Sequence, residues 1–334
     1  MMAARALELA AVERGHAPTT IDAMDYVTPG FRSWYRGGYE RLVRQNPAMW
    51  GHLYFSSDRP LFNYLVQTTL DFTFCGRIER LVRQEGPDWV VCTHSIAQPR
   101  IPLAGRPMAT VVTDLYPHRM WLRGHPQLTC VASEWSQKIL HDRRPRAKSV
   151  VTGIPISPEF RPSVAPLERR VLVTSGGISG GPVVEVVREL AKLSLDIHVV
   201  TGWNESLRQS LSGDSALAGV TVHGRLDPGQ MAEQLALASL VVAKPGGLTT
   251  MEALAVGTPF VVFKPFMIPG QEEQNAQFLA ESGAGVVIDD LRSLGDQVAA
   301  LASDPSRLLA MRTAATANGR PGAAGNVLEA LEGC

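Results

Sequence analysis

Short apolar runs alternate with amphipathic stretches along most of the chain, the order expected of strands joined by crossover helices in a parallel sheet. In the first half the apolar runs are DWVVC, MATVV, TCVA and SVV; in the second they are VLVTS, DIHVV, VTVH, LASLVVA and FVVF. Helical patterns such as EWSQKIL and VVEVVREL follow them, separated by Gly, Pro and small polar residues. The chain opens on MMAARALELAAVERGH, a helix with small and apolar residues on one side, Glu8, Glu13 and Arg14 on the other, and Gly15 at its end. TTIDAMDYV reads as the next strand and loop, and RPGAAGNVLEALEGC as a terminal helix. The pattern predicts an α/β protein of two doubly wound domains: residues 1–156, a linker over 157–168 stiffened by Pro158, Pro162 and Pro166, a second domain over 169–320 and a closing helix over 321–334.

Composition agrees with two domains, since 334 residues exceed what one core usually supports. No apolar run approaches the roughly 20 residues that span a bilayer. Cys75, Cys92, Cys130 and Cys334 are scattered, so neither a disulfide framework nor a zinc site is indicated, and a cytoplasmic protein is expected. The zero net charge hides an asymmetry: residues 1–156 carry 19 Lys/Arg against 13 Asp/Glu, and the remainder the reverse. A basic half suits an anionic membrane face or a nucleic acid; equally, it suits two oppositely charged surfaces that attract each other.

The densest chemistry lies between Lys244 and Asn275, KPGGLTTMEALAVGTPFVVFKPFMIPGQEEQN. A strand breaks at Pro245-Gly246-Gly247, where backbone amides can approach an anion, and a helix opens at Thr249 and Thr250. Glu252, in the first turns of that helix, can accept hydrogen bonds from a ribose diol, and Gln271, Glu272 and Asn275 offer donors and acceptors to sugar hydroxyls. A second glycine turn, with Gly176, Gly177, Gly180 and Gly181 before a helix, adds a second anion site; it is neither a GxGxxG fingerprint nor a P-loop. In the first half, residues 26–74 hold 12 of the 22 aromatic residues. Phe31, Trp34 and Tyr35 fall near one another at helical spacing, with Arg32, Arg36, Arg41 and Arg44 around them, which fits either a face covering the sheet or an interfacial helix. Asp114 and His118 follow a strand in VVTDLYPHRMW, where a carboxylate and an imidazole could remove a proton.

The Lys244–Asn275 segment resembles the donor-binding signature of GT-B glycosyltransferases, specifically the group of monogalactosyldiacylglycerol synthase and processive diacylglycerol glucosyltransferase; the lipid II-forming N-acetylglucosaminyltransferase is a looser relative. DYVTPGFRSWYRGGYERLVRQNPAMWGHLYFSSD resembles the group's acceptor-side insertion, VTDLYPHRMW its VTD…H..W segment, and Gly153-Ile154-Pro155 the turn leading into its linker. The resemblance implies two facing Rossmann-like domains with an interdomain cleft and inverting, metal-independent transfer of a hexose from a UDP-sugar to a diacylglycerol-type lipid, with no cofactor and no nucleic-acid partner. It implies donor contacts from Gly176, Gly177, Gly202, Asn204, Arg225, Leu226, Met231, Pro245, Gly246, Gly247, Thr249, Glu252, Gln271, Glu272 and Asn275, deprotonation of the acceptor by the histidine of the group's first glycine-rich loop or else by Asp114 with His118, and an acceptor or membrane surface at Phe31, Trp34, Tyr35, Arg36, Trp50 and Trp121. The expected location is the inner face of the cell membrane, as a peripheral protein. In the group, a strand and a glycine-rich loop ending in His precede the first helix; here neither does, and the expectation is that about 15 to 20 residues lie upstream of Met1. A nucleotide-sugar 2-epimerase of the same fold, and an inactive UDP- or lipid-binding relic, are the alternatives.

Overall fold

The computed structural model describes residues 1–59, 68–96, 98–163, 169–175, 181–268, 270 and 272–334. The chain divides into two compact units, one built mainly from Met1–Ile156 with Gly322–Cys334, the other from Ser157–Ile268 with Glu272–Pro321.

The first unit is organised on a parallel sheet of β1 (Val90–Cys92), β2 (Met108–Val111), β3 (Leu128–Val131) and β4 (Ser149–Val151), in that spatial order. Every residue of β2 and β3 is buried, because crossover segments cover both faces of such a sheet. Ala109, Val111, Leu128 and Cys130 form one face, and onto them pack Leu7 and Ala11 of the helix Met2–Glu13 and Val327, Leu328 and Leu331 of the last helix, Ala323–Glu332. Opposite, Met108 joins Val27 and Phe31 from the aromatic-rich segment and Cys75, Ile78 and Val82 just after it. The segment and the residues after it form helices Pro29–Gln45, Pro47–Ser57, Thr68–Phe74 and Gly76–Glu85. The stretch TTID forms no strand: it has no sheet neighbour, and the Asp22 carboxylate accepts from Met24 N to start a short 3-10 turn, Ala23–Asp25.

The second unit has six parallel strands: β5 (Arg170–Thr174), β6 (Asp196–Val200), β7 (Thr221–His223), β8 (Leu240–Ala243), β9 (Phe260–Phe263) and β10 (Gly285–Ile288). Their spatial order is β10-β9-β8-β5-β6-β7, so the chain winds outward from β5 one way and then, from β8, the other. This is the Rossmann order, and its reversal leaves a crevice at the carboxyl ends of β5 and β8, where doubly wound sheets bind ligands. The segments following these two strands are the two glycine turns singled out in the sequence.

Candidate functional site

In the second unit the site grows from the end of β8. Gly246, in extended conformation, caps the helix Gly247–Val256, and its carbonyl takes the N–H of Thr250. The free N–H groups of that first turn, at Gly247 and Thr249, point back past the carboxyl end of the sheet. Lys244, leaving β8, is mostly buried and donates to Glu272 Oε1 at 2.9 Å. The other carboxylate oxygen, Oε2, accepts from Ile268 N at 2.6 Å. Glu272 is 4 % exposed and pins the loop after β9 to the end of β8. Asn275 is fully buried, with Nδ2 donating to Pro245 O at 2.8 Å, while its Oδ1 and the hydroxyl of Thr250 have no partner among the described residues. A buried polar atom without a partner costs about 1–3 kcal/mol, a cost that a bound group or water would remove. Glu252 is half-buried, and burial pushes its carboxyl up to about 7.

The neighbouring strand ends add to the same edge. Gly202 takes a left-handed conformation (φ 58°) after β6, and the Asn204 carboxamide accepts from Leu207 N to cap the helix Glu205–Ser212. After β7, the Arg225 guanidinium lies 4.1 Å from the ring centre of Trp203, an exposed tryptophan the sequence reading passed over although it stands between Gly202 and Asn204. Leu226 and Met231 are half-buried. Gly181 has φ 83°, and a Cβ there would meet Pro265 O at 2.7 Å, so that turn needs glycine for close packing against the segment after β9. Gly176, Gly177 and Gln271, and the side chain of Arg36, lie outside the described residues.

In the first unit Asp114 and His118 lie in the loop after β2, but with different surroundings. Asp114 is half-buried and its Oδ2 accepts from Trp121 Nε1 at 3.0 Å. His118 is fully buried. Its Nδ1 accepts from Met120 N (3.1 Å), so Nε2 carries the proton and faces Tyr54 O (3.2 Å), Ser57 Oγ (3.4 Å) and Asp58 Oδ1 (3.5 Å). Burial holds its pKa below the usual histidine value, against the pull of Asp58. These bonds tie His118 to the segment Tyr54–Asp58 and fix the loop that carries Asp114. The centre of that arrangement is Asp58, which the sequence did not flag. It accepts from Arg119 N (2.9 Å) and takes both Arg143 nitrogens (2.8 and 2.6 Å). Burial pushes its carboxyl up, but the Arg143 guanidinium and the Arg119 amide outweigh this and leave it below the ordinary value.

Two residues expected at an acceptor or membrane surface are in the core. Trp121, 4 % exposed, packs with Val112, Leu122, Val131 and Leu140. Phe31, 8 % exposed, stacks on Phe74 with ring centres 4.7 Å apart. Tyr35 and Trp50 are half-buried, whereas Trp34 is 63 % exposed. Met49 and Leu53, one turn apart on Pro47–Ser57, and nearby Phe55 are exposed too.

Residues 1–156 match the family profile of monogalactosyldiacylglycerol (MGDG) synthase and residues 172–327 that of the glycosyltransferase family 28 C-terminal domain. The chain is 30% identical over 275 residues to a processive diacylglycerol beta-glucosyltransferase of Bacillus cereus (strain 03BB102), covering 76% of this chain and 70% of that one. The Bacillus mycoides (strain KBAB4) protein of the same name is 31% identical over 278 residues, with the same coverage. Among solved structures, Acinetobacter baumannii MurG aligns with a TM-score of 0.59 at 17% identity over 78% of each chain. An S. aureus MnaA–UDP complex aligns at 0.62 and 14% over 79% of this chain and 80% of that one. The spinosyn rhamnosyltransferase SpnG with its aglycone aligns at 0.62 and 17% over 98% and 96%. At these identities the structural likenesses establish the fold.

Proposed function

Because the chain belongs to the diacylglycerol glycosyltransferases, with a monogalactosyldiacylglycerol synthase domain followed by a glycosyltransferase family 28 domain, we propose that it transfers a hexose from a UDP-sugar to the hydroxyl of a diacylglycerol-type lipid. The observation that carries the donor half is the helix N-terminus at Gly246–Thr249, set at the switch point of a Rossmann-ordered sheet and braced by the Lys244–Glu272 pair. Such a terminus stabilises a diphosphate, and most strongly when its charge grows as the glycosidic bond breaks.

The acceptor hydroxyl would attack the anomeric carbon as UDP departs, through an oxocarbenium-like state, with inversion. We assign the hydroxyl proton to Asp114, whose carboxylate is held by the Trp121 indole; His118 serves that loop from behind. Glu252 would take the ribose diol, and the Oδ1 of Asn275, without a partner among the described residues, a donor on the bound nucleotide-sugar. Leaving-group charge would be spread over backbone N–H groups, without a metal. For the acceptor half, the exposed Trp34, Met49, Leu53 and Phe55 would meet the bilayer, on a basic half of the chain that favours anionic lipid. Among the described residues no helix is long and apolar enough to cross a membrane, which agrees with contact from one side.

The test is to incubate the protein with UDP-glucose or UDP-galactose, with and without diacylglycerol vesicles. Lipid-dependent release of UDP is expected. Lipid-independent epimerisation of the nucleotide-sugar would overturn this reading in favour of the epimerases that share the fold.

A further inference from the structure

We propose that the first unit carries a second anion site, for a phosphate monoester or diester, at the amino ends of β3 and β4. The strands are parallel, so their amino ends share one edge. Before β3 comes His125, and before β4 come Arg144, Arg146 and Lys148; together with Arg143 and Thr129 they line a cavity of about 510 Å³. Asp114 follows β2 at the other edge, a strand's length away, about 13 Å for four residues.

The cationic side chains share the lining with His125, Thr129 and the apolar Pro126, Pro145 and Ala147. Arg143 is committed to Asp58, but no carboxylate lines the cavity, and Arg144, Arg146 and Lys148 have no carboxylate partner among the described residues. Arg144 donates instead to His125 Nδ1 (3.1 Å), and Lys148 to the Cys334 sulfur (3.3 Å). The first of these bonds fixes the proton of His125 on Nε2, leaving a further N–H to offer. Burial without an opposing charge holds the Arg144 guanidinium below its ordinary value. Three cations gathered around a concavity repel one another unless an anion joins them, and planar guanidinium forks match phosphate oxygens best. His125 also adopts a left-handed backbone (φ 51°), an uncommon conformation for a residue with a side chain. The site does not depend on the donor reading, since its residues and those of the second unit are separate.

The proposal is tested by equilibrium dialysis of inorganic phosphate and of sn-glycerol 3-phosphate against the full chain, with UDP present to occupy the other anion site. Parallel flotation uses phosphatidylcholine vesicles with and without phosphatidic acid. The double variant Arg144→Gln/Arg146→Gln should weaken binding at least about tenfold, and Arg144→Lys/Arg146→Lys should retain most of it. Binding of the soluble phosphates identifies a free ligand; binding of phosphatidic acid vesicles alone, with the same dependence on Arg144 and Arg146, identifies a lipid headgroup. If the glutamine double variant fails to fold, Lys148→Gln at the exposed rim carries the same comparison. Phosphate and vesicle binding that are both absent, or both indifferent to these substitutions in folded protein, would overturn the site.

Discussion

Glu252 shows how a single residue ties binding to stability. Its carboxyl is raised to about 7 by burial, so the folded protein holds a proton that the unfolded chain releases near the ordinary glutamate value. The associated stability is present at low pH and is lost as pH rises from the ordinary value through about 7. Melting temperatures of Glu252→Gln, which cannot titrate, should fall less over that window than those of the parent. If a ribose diol donates to the carboxylate, UDP binding near pH 7 favours the charged form and releases up to about half a proton, which calorimetry in buffers of different ionisation enthalpy would detect. Asp114→Asn should lower kcat at least about 100-fold while leaving the KM for UDP-sugar nearly unchanged; equal losses in binding would assign it elsewhere. Legibility at this scale is uneven. Glu252 is readable because the turn and helix that place it are local. His118 is not, because the groups that bury it, Tyr54 and Ser57, are more than 60 positions away. Likewise Phe31 and Trp34 are both aromatic and lie one helical turn apart, and it is packing against distant residues such as Phe74, Ile78 and Met108 that puts Phe31 in the core.

Among elements, the turn between β8 and Gly247–Val256 states what a glycine is for. Gly246 has φ −64°, open to any residue, and an added Cβ would come no closer than 3.8 Å, to Glu272 Oε1. Neither conformation nor packing demands glycine there, which leaves approach of a ligand. Gly246→Ala should therefore keep its stability within about 1 kcal/mol yet lose at least about tenfold in UDP affinity; equal affinity would remove the diphosphate from this turn. A second brace is the buried pair Arg123–Asp71, which holds helix Thr68–Phe74 to the loop after Trp121, with Arg123 also donating to Ser95 O at 3.1 Å. Arg123→Ala should cost about 3–5 kcal/mol in denaturant unfolding by leaving Asp71 buried. Most strands and helices were readable from periodicity alone, since buried parallel strands are short apolar runs. TTID misleads because an alternating run needs a neighbouring strand to become one, and Asp22 finds its own backbone first. The Lys244–Glu272 pair escaped notice although both residues lie in the stretch that drew attention, because a sequence shows two charges and not their meeting.

For the whole molecule, the division of labour between halves is the claim that matters. Trp34→Ala should reduce cosedimentation with anionic vesicles and leave the melting temperature unchanged, whereas Phe31→Ala, a core truncation, should cost about 3–5 kcal/mol. Unaltered vesicle binding by the first variant would move the bilayer contact elsewhere. Transfer should continue in EDTA, because the leaving diphosphate is assigned to backbone N–H groups; complete loss in chelator, restored by a divalent cation, would revise that assignment. Two Rossmann-like units were legible in the order of apolar runs, while the basic cavity before β3 and β4 was not, since its residues come from two separated loops. The most direct test is the configuration of the sugar in the lipid product made from a UDP-α-hexose and diacylglycerol, read by NMR. Inversion predicts a β-linked hexosyl diacylglycerol formed in step with UDP; an α-linked product, or UDP-sugar turnover with no lipid-linked hexose, would contradict direct transfer to the lipid with inversion.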